Sequence, residues 1–330
     1  MLFGALPCSP PQPDLCGRNT LVAIFLGIDG GGSKTSCLIG DETSILGAGT
    51  AAGSNPIRVG EARTREALAT AIRQACSVAN VTSEKIDRVC VGVAGAAQPE
   101  IAELVSQIIS ELIPCEIEVF GDMVIALEAA FRSGPGVVAI AGTGSIVYGR
   151  NAAGQVARAG GWGFAISDEG SGHWIGRAAL AAAMRAGDEG QDSNTRLLEN
   201  LMKSWRLETR DQLVLAANAT PPPNFATLFP AVLSTAESGD AIARDVLARA
   251  GAELARLAGT VIRRLFPHPG IVQVAMSGGV FASSPLVCQS FYNNLHSERT
   301  EVTINPTVVE PVRGALELAR KKVSNETLRR

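Results

Sequence analysis

Apolar residues follow two different spacings along this chain, and together they predict an α/β protein. Short apolar runs rich in β-branched residues, such as residues 21–28 and 86–93, are typical of buried strands. Other segments repeat an apolar residue every three or four positions, which indicates helices, the first of them over residues 59–79. Up to Phe131 the predicted element order is βββαβαβα, a mixed sheet with helices.

The opening design is repeated in the second part of the chain. Residues 136–159 again read as strand, glycine-rich turn, strand, tight turn and strand, so we predict an internal duplication. The following hundred or so residues are rich in alanine and helical spacing, as expected for helices inserted into the second repeat. Strand patterns return at residues 271–276 and 302–305, and the last helix is predicted at residues 312–322. Two sheets, each opened by a glycine turn, would face each other across a cleft.

The first glycine turn lies between two apolar runs and carries one acid and one lysine. Glycine permits positive φ angles and a close approach of backbone amides to phosphate. A P-loop would need glycine directly before the lysine, where this chain has Ser33. The alternative is a hairpin with glycines for steric reasons only. Asp29, beside the turn, favours a ligand, since it could hold Mg²⁺ through water. The predicted ATP-binding residues of this turn are Gly30, Gly31, Gly32, Ser33, Lys34 and Thr35.

Two further glycine motifs follow predicted strands of the second repeat. Residues 142–145 offer amides and hydroxyls at the position equivalent to the first turn, although an isolated turn of this kind is usually only a hairpin. Residues 277–279 could pass beneath an adenine or merely begin a helix. The predicted ATP-binding residues here are Gly142, Thr143, Gly144, Ser145, Gly278 and Gly279.

Asp122 and the segment 160–171 are the other candidates for chemistry. Asp122 follows a predicted strand and begins a helix, where ligands gather in α/β sheets, but aspartate is also a common helix cap at that position. The segment combines glycines, acids and Trp162 within twelve residues. It could bind a small polar ligand, with Asp168 pairing sugar hydroxyls, or it could be a connection that buries the tryptophan in the core.

Composition excludes several classes of function. The net charge of −3 and pI near 5.8 give no basic surface for nucleic acid or anionic membrane. No apolar run reaches the roughly 18 residues that span a bilayer. Seven cysteines without a CxxC pair argue against disulfides and indicate a cytoplasmic location. Residues 1–20 contain four prolines and predict a loosely ordered tail.

These motifs resemble, in order, those of the N-acetylglucosamine kinase branch of the BadF/BadG/BcrA/BcrD ATPase family, within the actin–Hsp70–hexokinase superfamily. The resemblance covers residues 21–320 and rests on residues 27–35, 142–145 and 277–279. Its most specific part is Gly160-Gly-Trp-Gly followed by Asp168-Glu-Gly-Ser171. Ser167 stands where the family usually has glycine, so the local backbone geometry is expected to differ.

The resemblance implies two ribonuclease H-like lobes facing a nucleotide cleft, with helical insertions in the C-terminal lobe. Residues 21–133 plus 312–330 would form the N-terminal lobe, and residues 134–311 the C-terminal lobe. By the same resemblance Asp122 would be the catalytic base and Asp29 would position Mg²⁺. The sugar-binding residues it implies are Ser54, Asn55, Asp122, Thr143, Gly161, Trp162 and Asp168.

The resulting hypothesis is an ATP-dependent kinase, a cytoplasmic homodimer, that phosphorylates the 6-hydroxyl of N-acetylglucosamine. Glucosamine, N-acetylmuramic acid and glucose are alternative substrates, because one pocket contact suffices to discriminate among them. Another alternative is an ATPase activator with an iron–sulfur cluster, for which Cys90 and Cys115 leave a small opening. The third is a sugar-sensing protein without turnover.

Overall fold

The computed structural model describes residues 22–190 and 195–321, which form two five-stranded sheets with flanking helices. The predicted tail at residues 1–20 and the last residues assigned to the N-terminal lobe, 322–330, lie outside the described residues. Within these ranges, no helix combines the length and apolar character needed to cross a membrane.

The first sheet has the strand order β3-β2-β1-β4-β5. Strands β1 and β2 form the predicted antiparallel hairpin, while β1, β4 and β5 run parallel to one another. Crossover helices connect the parallel strands, as such pairs require. The strands and helices of this part are β1 (Phe25–Gly30), β2 (Lys34–Gly40), β3 (Ile45–Ala52), α1 (Pro56–Val59), α2 (Glu61–Ala79), β4 (Arg88–Val93), α3 (Pro99–Ser110), β5 (Glu116–Phe120) and α4 (Asp122–Phe131), with a short 3₁₀ helix at Ser83–Lys85.

The second sheet repeats this topology strand for strand, which confirms the predicted duplication. Its order is β10-β9-β6-β7-β8, with the same antiparallel hairpin and the same parallel neighbours. The strands are β6 (Gly136–Ala141), β7 (Ser145–Arg150), β8 (Val156–Gly160), β9 (Val272–Ser277) and β10 (Val302–Val309). The α/β fold with two lobes is therefore as predicted.

In the described part of the segment between β8 and β9, five α-helices are inserted, and they build most of the core of the second lobe. The longest, α9, presents a continuous buried face to the sheet and to α11. Apolar residues at helical spacing explain this face. The inserted helices are α5 (Gly172–Asp188), α6 (Leu197–Ser204), α7 (Arg210–Ala217), α8 (Phe229–Glu237) and α9 (Ala241–Leu265), with a 3₁₀ helix at Phe225–Leu228. After β9 come α10 (Gly279–Ser283) and α11 (Pro285–Glu298), and α12 (Pro311–Arg320) follows β10.

Two elements differ from the prediction for identifiable reasons. The helix predicted over residues 59–79 is α2, which begins at Glu61, because Gly60 has a φ angle of 78° and separates it from the short helix α1 that was not predicted. Strand β10 extends to Val309 rather than ending at residue 305. It passes Pro306 with a register shift, which an edge strand tolerates because the proline nitrogen has no hydrogen to donate.

The last helix returns to the first sheet. Helix α12 packs on α4, β1 and β4, and the ion pair between Lys321 and the buried Glu128 fixes its end. Glycines make the close approach possible. A Cβ atom on Gly314 would lie 1.9 Å from the Ile125 carbonyl oxygen, and one on Gly27 would lie 2.3 Å from the Leu316 nitrogen.

We expect Gly314→Ala to lower the free energy of unfolding by about 1–3 kcal/mol. The added methyl group would overlap the backbone of α4, and this overpacking outweighs the gain of about 1 kcal/mol in helix propensity. Urea denaturation measures the change. Arg313→Ala, at the exposed neighbouring position, is the control and should alter stability by less than about 0.5 kcal/mol. Equal stability of wild type and Gly314→Ala would contradict the packing described.

Candidate active site

Two carboxylates, Asp29 and Asp122, lie at the edge where the parallel strands of the first sheet end. Asp29 is the second-last residue of strand β1, where it pairs with Ser36 of β2. Asp122 is the first residue of α4, which follows β5. Because carboxyl ends of parallel strands meet at one edge, residues 93 positions apart come together. Both side chains are partly buried. The predicted placement of Asp122 at a strand–helix junction is confirmed.

Burial raises the pKa of both acids. The pKa of Asp29 rises to about 7, mainly through burial and then through the negative charge of Asp122, while Lys34 acts in the opposite direction. Burial also raises the pKa of Asp122, and the hydrogen bond that its Oδ1 accepts from the Met123 amide (3.0 Å) opposes the rise. The residue that caps α4 is Gly121, and Asp122 is the first residue of the helix, so the alternative of Asp122 as a helix cap is wrong. Two carboxylates that repel each other in a cleft favour a cation or a shared proton.

The first glycine turn rests on the loop that follows β3. The Ser54 and Asn55 amides donate to the Gly31 carbonyl oxygen at 3.1 and 3.3 Å. Gly53 permits this contact, because a Cβ atom there would lie 2.4 Å from the Gly32 carbonyl oxygen. Backbone contacts from the loop after β3 thus hold one side of the turn in place, and the other side remains for a ligand.

Three predicted ligand-binding side chains of this region serve the loop itself. Thr35 Oγ1 donates to the Ala52 carbonyl oxygen (2.6 Å) and lies 2.8 Å from Ser54 Oγ, and both side chains are completely buried. Asn55 caps α1 by accepting from the Ile57 amide at 3.0 Å. Their side chains therefore position the turn.

The second glycine turn meets the first across the cleft. Ser33 Oγ and Thr143 Oγ1 are 2.8 Å apart, although 110 positions separate them in sequence. The Gly142 amide donates to the Gly144 carbonyl oxygen at 2.9 Å, and Ser145 Oγ donates to the Glu169 carbonyl oxygen at 2.7 Å. The predicted pairing of the two turns is present in the structure.

The third motif joins β9 to α10. Gly278 has a φ angle of 97°, and a Cβ atom there would lie 2.4 Å from the Ala141 carbonyl oxygen. Ser277 is buried and donates to the Val309 carbonyl oxygen at 3.2 Å. Gly279 has open space above it at the start of α10. Of the two predicted glycines, Gly278 is needed for packing, whereas a side chain at position 279 would meet open space.

The segment 160–171 presents its tryptophan to solvent. Trp162 is 59% exposed, and the Arg158 guanidinium stacks 4.0 Å from its ring centroid. The alternative of a core tryptophan is therefore wrong. The backbone at Gly161 has a φ angle of 70°, a conformation that favours glycine.

Asp168 is the buried acid of this segment. Burial raises its pKa to about 6, and the Ser145 amide and the charge of Arg58 partly offset the rise. A Cβ atom on Gly144 would lie 3.0 Å from Asp168 Oδ2, so the second glycine turn and this carboxylate are in direct contact. The charge of Asp122 also acts on Asp168. Asp122 and Asp168 thus border one polar site.

Sequence reasoning missed the residues that cross from one lobe to the other near this site. Arg58, on α1, donates to Asn224 Oδ1 at 3.4 Å and lies over the Phe164 ring. His173 lies on α5, which begins at Gly172, and it is buried against Phe164 and Phe225. The one indication in the sequence was that Arg58 lies three positions after Asn55, which is a predicted sugar-binding residue.

Comparison with known families decides the assignment. The model of the BadF/BadG/BcrA/BcrD ATPase family matches residues 26–319. The chain belongs to this family. The match spans both sheets and all three glycine motifs, so the family's two-lobed architecture accounts for the whole described fold.

Relatives and solved structures within and around the family are similar over most of their length. An N-acetylmuramic acid/N-acetylglucosamine kinase of Clostridium acetobutylicum is 29% identical over 90% of this chain and 98% of its own. An N-acetyl-D-glucosamine kinase of Dictyostelium discoideum is 31% identical over 73% and 80%, respectively. The fold is shared with a candidate N-acetylglucosamine kinase of Chromobacterium violaceum (TM-score 0.71, 24% identity, 91% of this chain and 99% of the other). It is also shared with a ROK glucokinase of Streptomyces griseus solved with glucose and AMPPNP (TM-score 0.58, 16% identity, 90% and 99%).

We expect Asp168→Asn to stabilise the ligand-free protein at pH 8 by about 1–2 kcal/mol. The folded protein binds the Asp168 proton more tightly than the unfolded chain, so wild-type stability falls as pH rises from about 4 to 6. Asparagine stays neutral and avoids this loss. The difference between variant and wild type should shrink towards pH 4, as urea denaturation at pH 4, 5, 6 and 8 would show.

The control is Asp41→Asn, for which the sign is opposite. Hydrogen bonds from the Thr43 and Ser44 amides lower the pKa of Asp41, so its charge stabilises the fold throughout pH 5–8. This variant should be less stable than wild type over that range. An effect of Asp168→Asn that does not vary with pH would show that desolvation of its charge is not the cause.

Proposed function

We propose that this protein is an ATP-dependent kinase that transfers the γ-phosphoryl group to the 6-hydroxyl of N-acetylglucosamine. The observation that carries the proposal is Asp122, a carboxylate of raised pKa at a cleft where two glycine turns approach each other. A family of ATPases and relatives named as amino-sugar kinases support the same activity.

Asp122 would act as the general base. Its Oδ1 accepts a hydrogen bond from the Met123 amide, and this bond orients the carboxylate. The other oxygen, Oδ2, would then accept the proton of the sugar hydroxyl. The raised pKa of Asp122 makes it a better proton acceptor than an exposed aspartate. As the proton leaves, the hydroxyl oxygen attacks the γ-phosphorus in line with the departing ADP oxygen.

The two glycine turns would hold the phosphates. Gly31 and Gly142 use their own amides inside the turns, so the amides of Gly32, Ser33, Thr143 and Gly144 would be the donors available for phosphate oxygens. Ser33 and Thr143 hydroxyls, now within hydrogen-bond distance of each other, would each bind a phosphate oxygen instead. Positioning and charge stabilisation then supply most of the acceleration.

The acids at the edge of the first sheet fit a divalent cation. Asp29 has a pKa raised to about 7, partly because Asp122 is close, and a bound cation would relieve that repulsion. In the ranges that the structure describes, no three His, Cys, Asp or Glu side chains form a ready-made metal site, which agrees with a cation held by Asp29 through water. Mg²⁺ bound there would neutralise charge on the phosphates.

The sugar would lie between the lobes, beside the second turn. Asp168 can accept hydrogen bonds from sugar hydroxyls, and the exposed ring of Trp162 can cover an apolar face of the sugar. By the family resemblance, Ser54, Asn55, Thr143 and Gly161 would border the same space. Glucosamine, N-acetylmuramic acid and glucose remain alternative substrates.

The activator alternative has weaker support from the cysteines. Cys90 is completely buried in β4, and Cys115 is half-buried just before β5. A cluster shared between two subunits needs thiolates at a surface, and burial raises the pKa of Cys90 well above its ordinary value. A sensor without turnover would bind the sugar and fail the kinase assay below.

We also propose a cytoplasmic location, a division into two lobes and a homodimer. A cytoplasmic location is consistent with use of ATP and with the free thiols of the five described cysteines. The division into lobes near residues 133 and 312 agrees with the return of α12 to the first sheet. A homodimer follows only from the family resemblance, and analytical ultracentrifugation of the purified protein tests it.

We expect Asp122→Asn to lower kcat by about 10²-fold or more while binding of ATP and sugar is retained. Asparagine keeps the shape and the contact with the Met123 amide but cannot take up the proton. A coupled assay with N-acetylglucosamine measures turnover, and calorimetry measures binding. Asp245→Asn, an exposed position on α9, is the control. Near-normal turnover of Asp122→Asn would rule out Asp122 as the base.

A further inference from the structure

A cavity of about 310 Å³ opens beside Asp168 and runs along α5. Phe164, His173 and Arg177 are among the residues that line it, whereas the phosphate-binding turns do not contribute to its wall. Asp168 borders both this cavity and the second glycine turn. A sugar that touches Asp168 while its 6-hydroxyl reaches Asp122 could therefore extend a substituent into the cavity.

Arg58 brings a positive charge from the first lobe to this side of the cleft. Its aliphatic Cδ lies against Gly32, but its charged end points away from the turn, towards Asn224 (3.4 Å) and the Phe164 ring (5.6 Å to the centroid). No carboxylate of the described residues comes within 4 Å of this guanidinium. Burial lowers the pKa of Arg58 and the charge of Asp168 opposes that change, so the cation is partly desolvated and its partners in the described residues are the neutral Asn224 and Phe164.

Arg177 and His173 add two further groups that are free to bind a ligand. Arg177 is exposed on α5 at the wall of the cavity. His173 is 4% exposed, and its Nδ1 has no hydrogen-bond partner among the described residues. A buried polar atom without a partner costs free energy that a ligand atom could recover. Burial, followed by the charges of Arg58 and Arg177, lowers the pKa of His173 to about 4, so the ring is neutral near pH 7.

The charge balance of this region favours an anion. Glu169 already accepts from Ser167 Oγ at 2.6 Å and lies 4.0 Å from an Arg256 nitrogen. Asp168 is then opposed by two guanidinium groups, Arg58 and Arg177, neither of which forms an ion pair within 4 Å among the described residues. A guanidinium binds a carboxylate through two parallel hydrogen bonds, which gives geometric selectivity as well as affinity.

We propose that Arg58, together with Arg177 and His173, binds a carboxylate carried on a substituent of the sugar. This inference rests on the proposed amino-sugar kinase function and narrows its substrate class. The preferred substrate is an amino sugar with a carboxylate on an ether side chain, the chemistry of N-acetylmuramic acid. Arg58 is then the residue that distinguishes such a sugar from N-acetylglucosamine, which lacks the charge.

The test compares kcat/KM for N-acetylmuramic acid, its neutral methyl ester and N-acetylglucosamine in one coupled assay. We expect Arg58→Gln to lower the ratio of N-acetylmuramic acid to N-acetylglucosamine about 10- to 100-fold, the usual effect of losing a charge-assisted hydrogen bond. Arg177→Gln should lower it by a smaller factor. Arg58→Lys should recover part of the loss. Arg185→Gln, an exposed arginine near the end of α5, is the matched control and should leave the ratio unchanged.

The methyl ester tests the charge without any mutation. In the wild-type enzyme, kcat/KM should be lower for the methyl ester than for N-acetylmuramic acid. In Arg58→Gln, the two values should be similar, because the residue that recognises the charge is absent. Equal losses with both sugars in Arg58→Gln would mean that Arg58 acts on the nucleotide, and would overturn the inference. So would a wild-type enzyme that phosphorylates N-acetylglucosamine and rejects N-acetylmuramic acid, an outcome that leaves the kinase function intact.

Failure of the kinase function itself has a different signature. In that case neither sugar would be phosphorylated by wild type, and calorimetric titration with each sugar would still test the carboxylate site. Tighter binding of N-acetylmuramic acid that is lost in Arg58→Gln would support the site. Equal binding of the two sugars would overturn it.

Discussion

Both lobes depend on the same steric constraint, the packing of backbone directly against backbone at the ligand-binding edge of each sheet. At Gly53 a side chain would overlap the first glycine turn, and at Gly278 it would overlap the end of β6, each at 2.4 Å. Real Cβ atoms do not tolerate such distances, so each turn is fixed by glycine on the supporting segment as well as within itself. The result is two rigid sets of amides, one on each lobe, whose separation is set by the lobes rather than by flexible side chains.

Buried acids give the cleft its second defining property. Asp29, Asp122 and Asp168 come from three different segments, and burial raises the pKa of each. Removing charge from water is costly without a partner, so a ligand-free cleft of this kind carries free energy that substrates can release. Sugar hydroxyls and a cation satisfy these oxygens in different ways. Burial, which raises the pKa of both carboxyl groups, thus favours proton transfer at Asp122 and hydroxyl binding at Asp168.

The sequence predicts the repeated parts of this structure well, because they follow from local pattern. The strand β4 ends at Val93, where the apolar run 86–93 ends, and β6 begins at Gly136, where the second repeat was predicted to begin. What local pattern does not contain is the direction of a side chain after folding. Ser54 turns under the loop and becomes buried against Thr35, whereas Arg58, four positions later, spans the cleft to Asn224. Both outcomes depend on partners from elsewhere in the chain, which periodicity and composition do not specify.

The contact between Ser33 and Thr143 links these features to catalysis. Their hydroxyls satisfy each other at the place where the two phosphate-binding turns converge. A phosphate group entering there would exchange one neutral hydrogen bond for charge-assisted ones, which are stronger. When the nucleotide separates the two hydroxyls, each of them would therefore still have a hydrogen-bond partner, a phosphate oxygen. Because the two hydroxyls belong to different lobes, the bound phosphate would hold the lobes together through the ligand, and water would be kept from the reacting oxygen near Asp122.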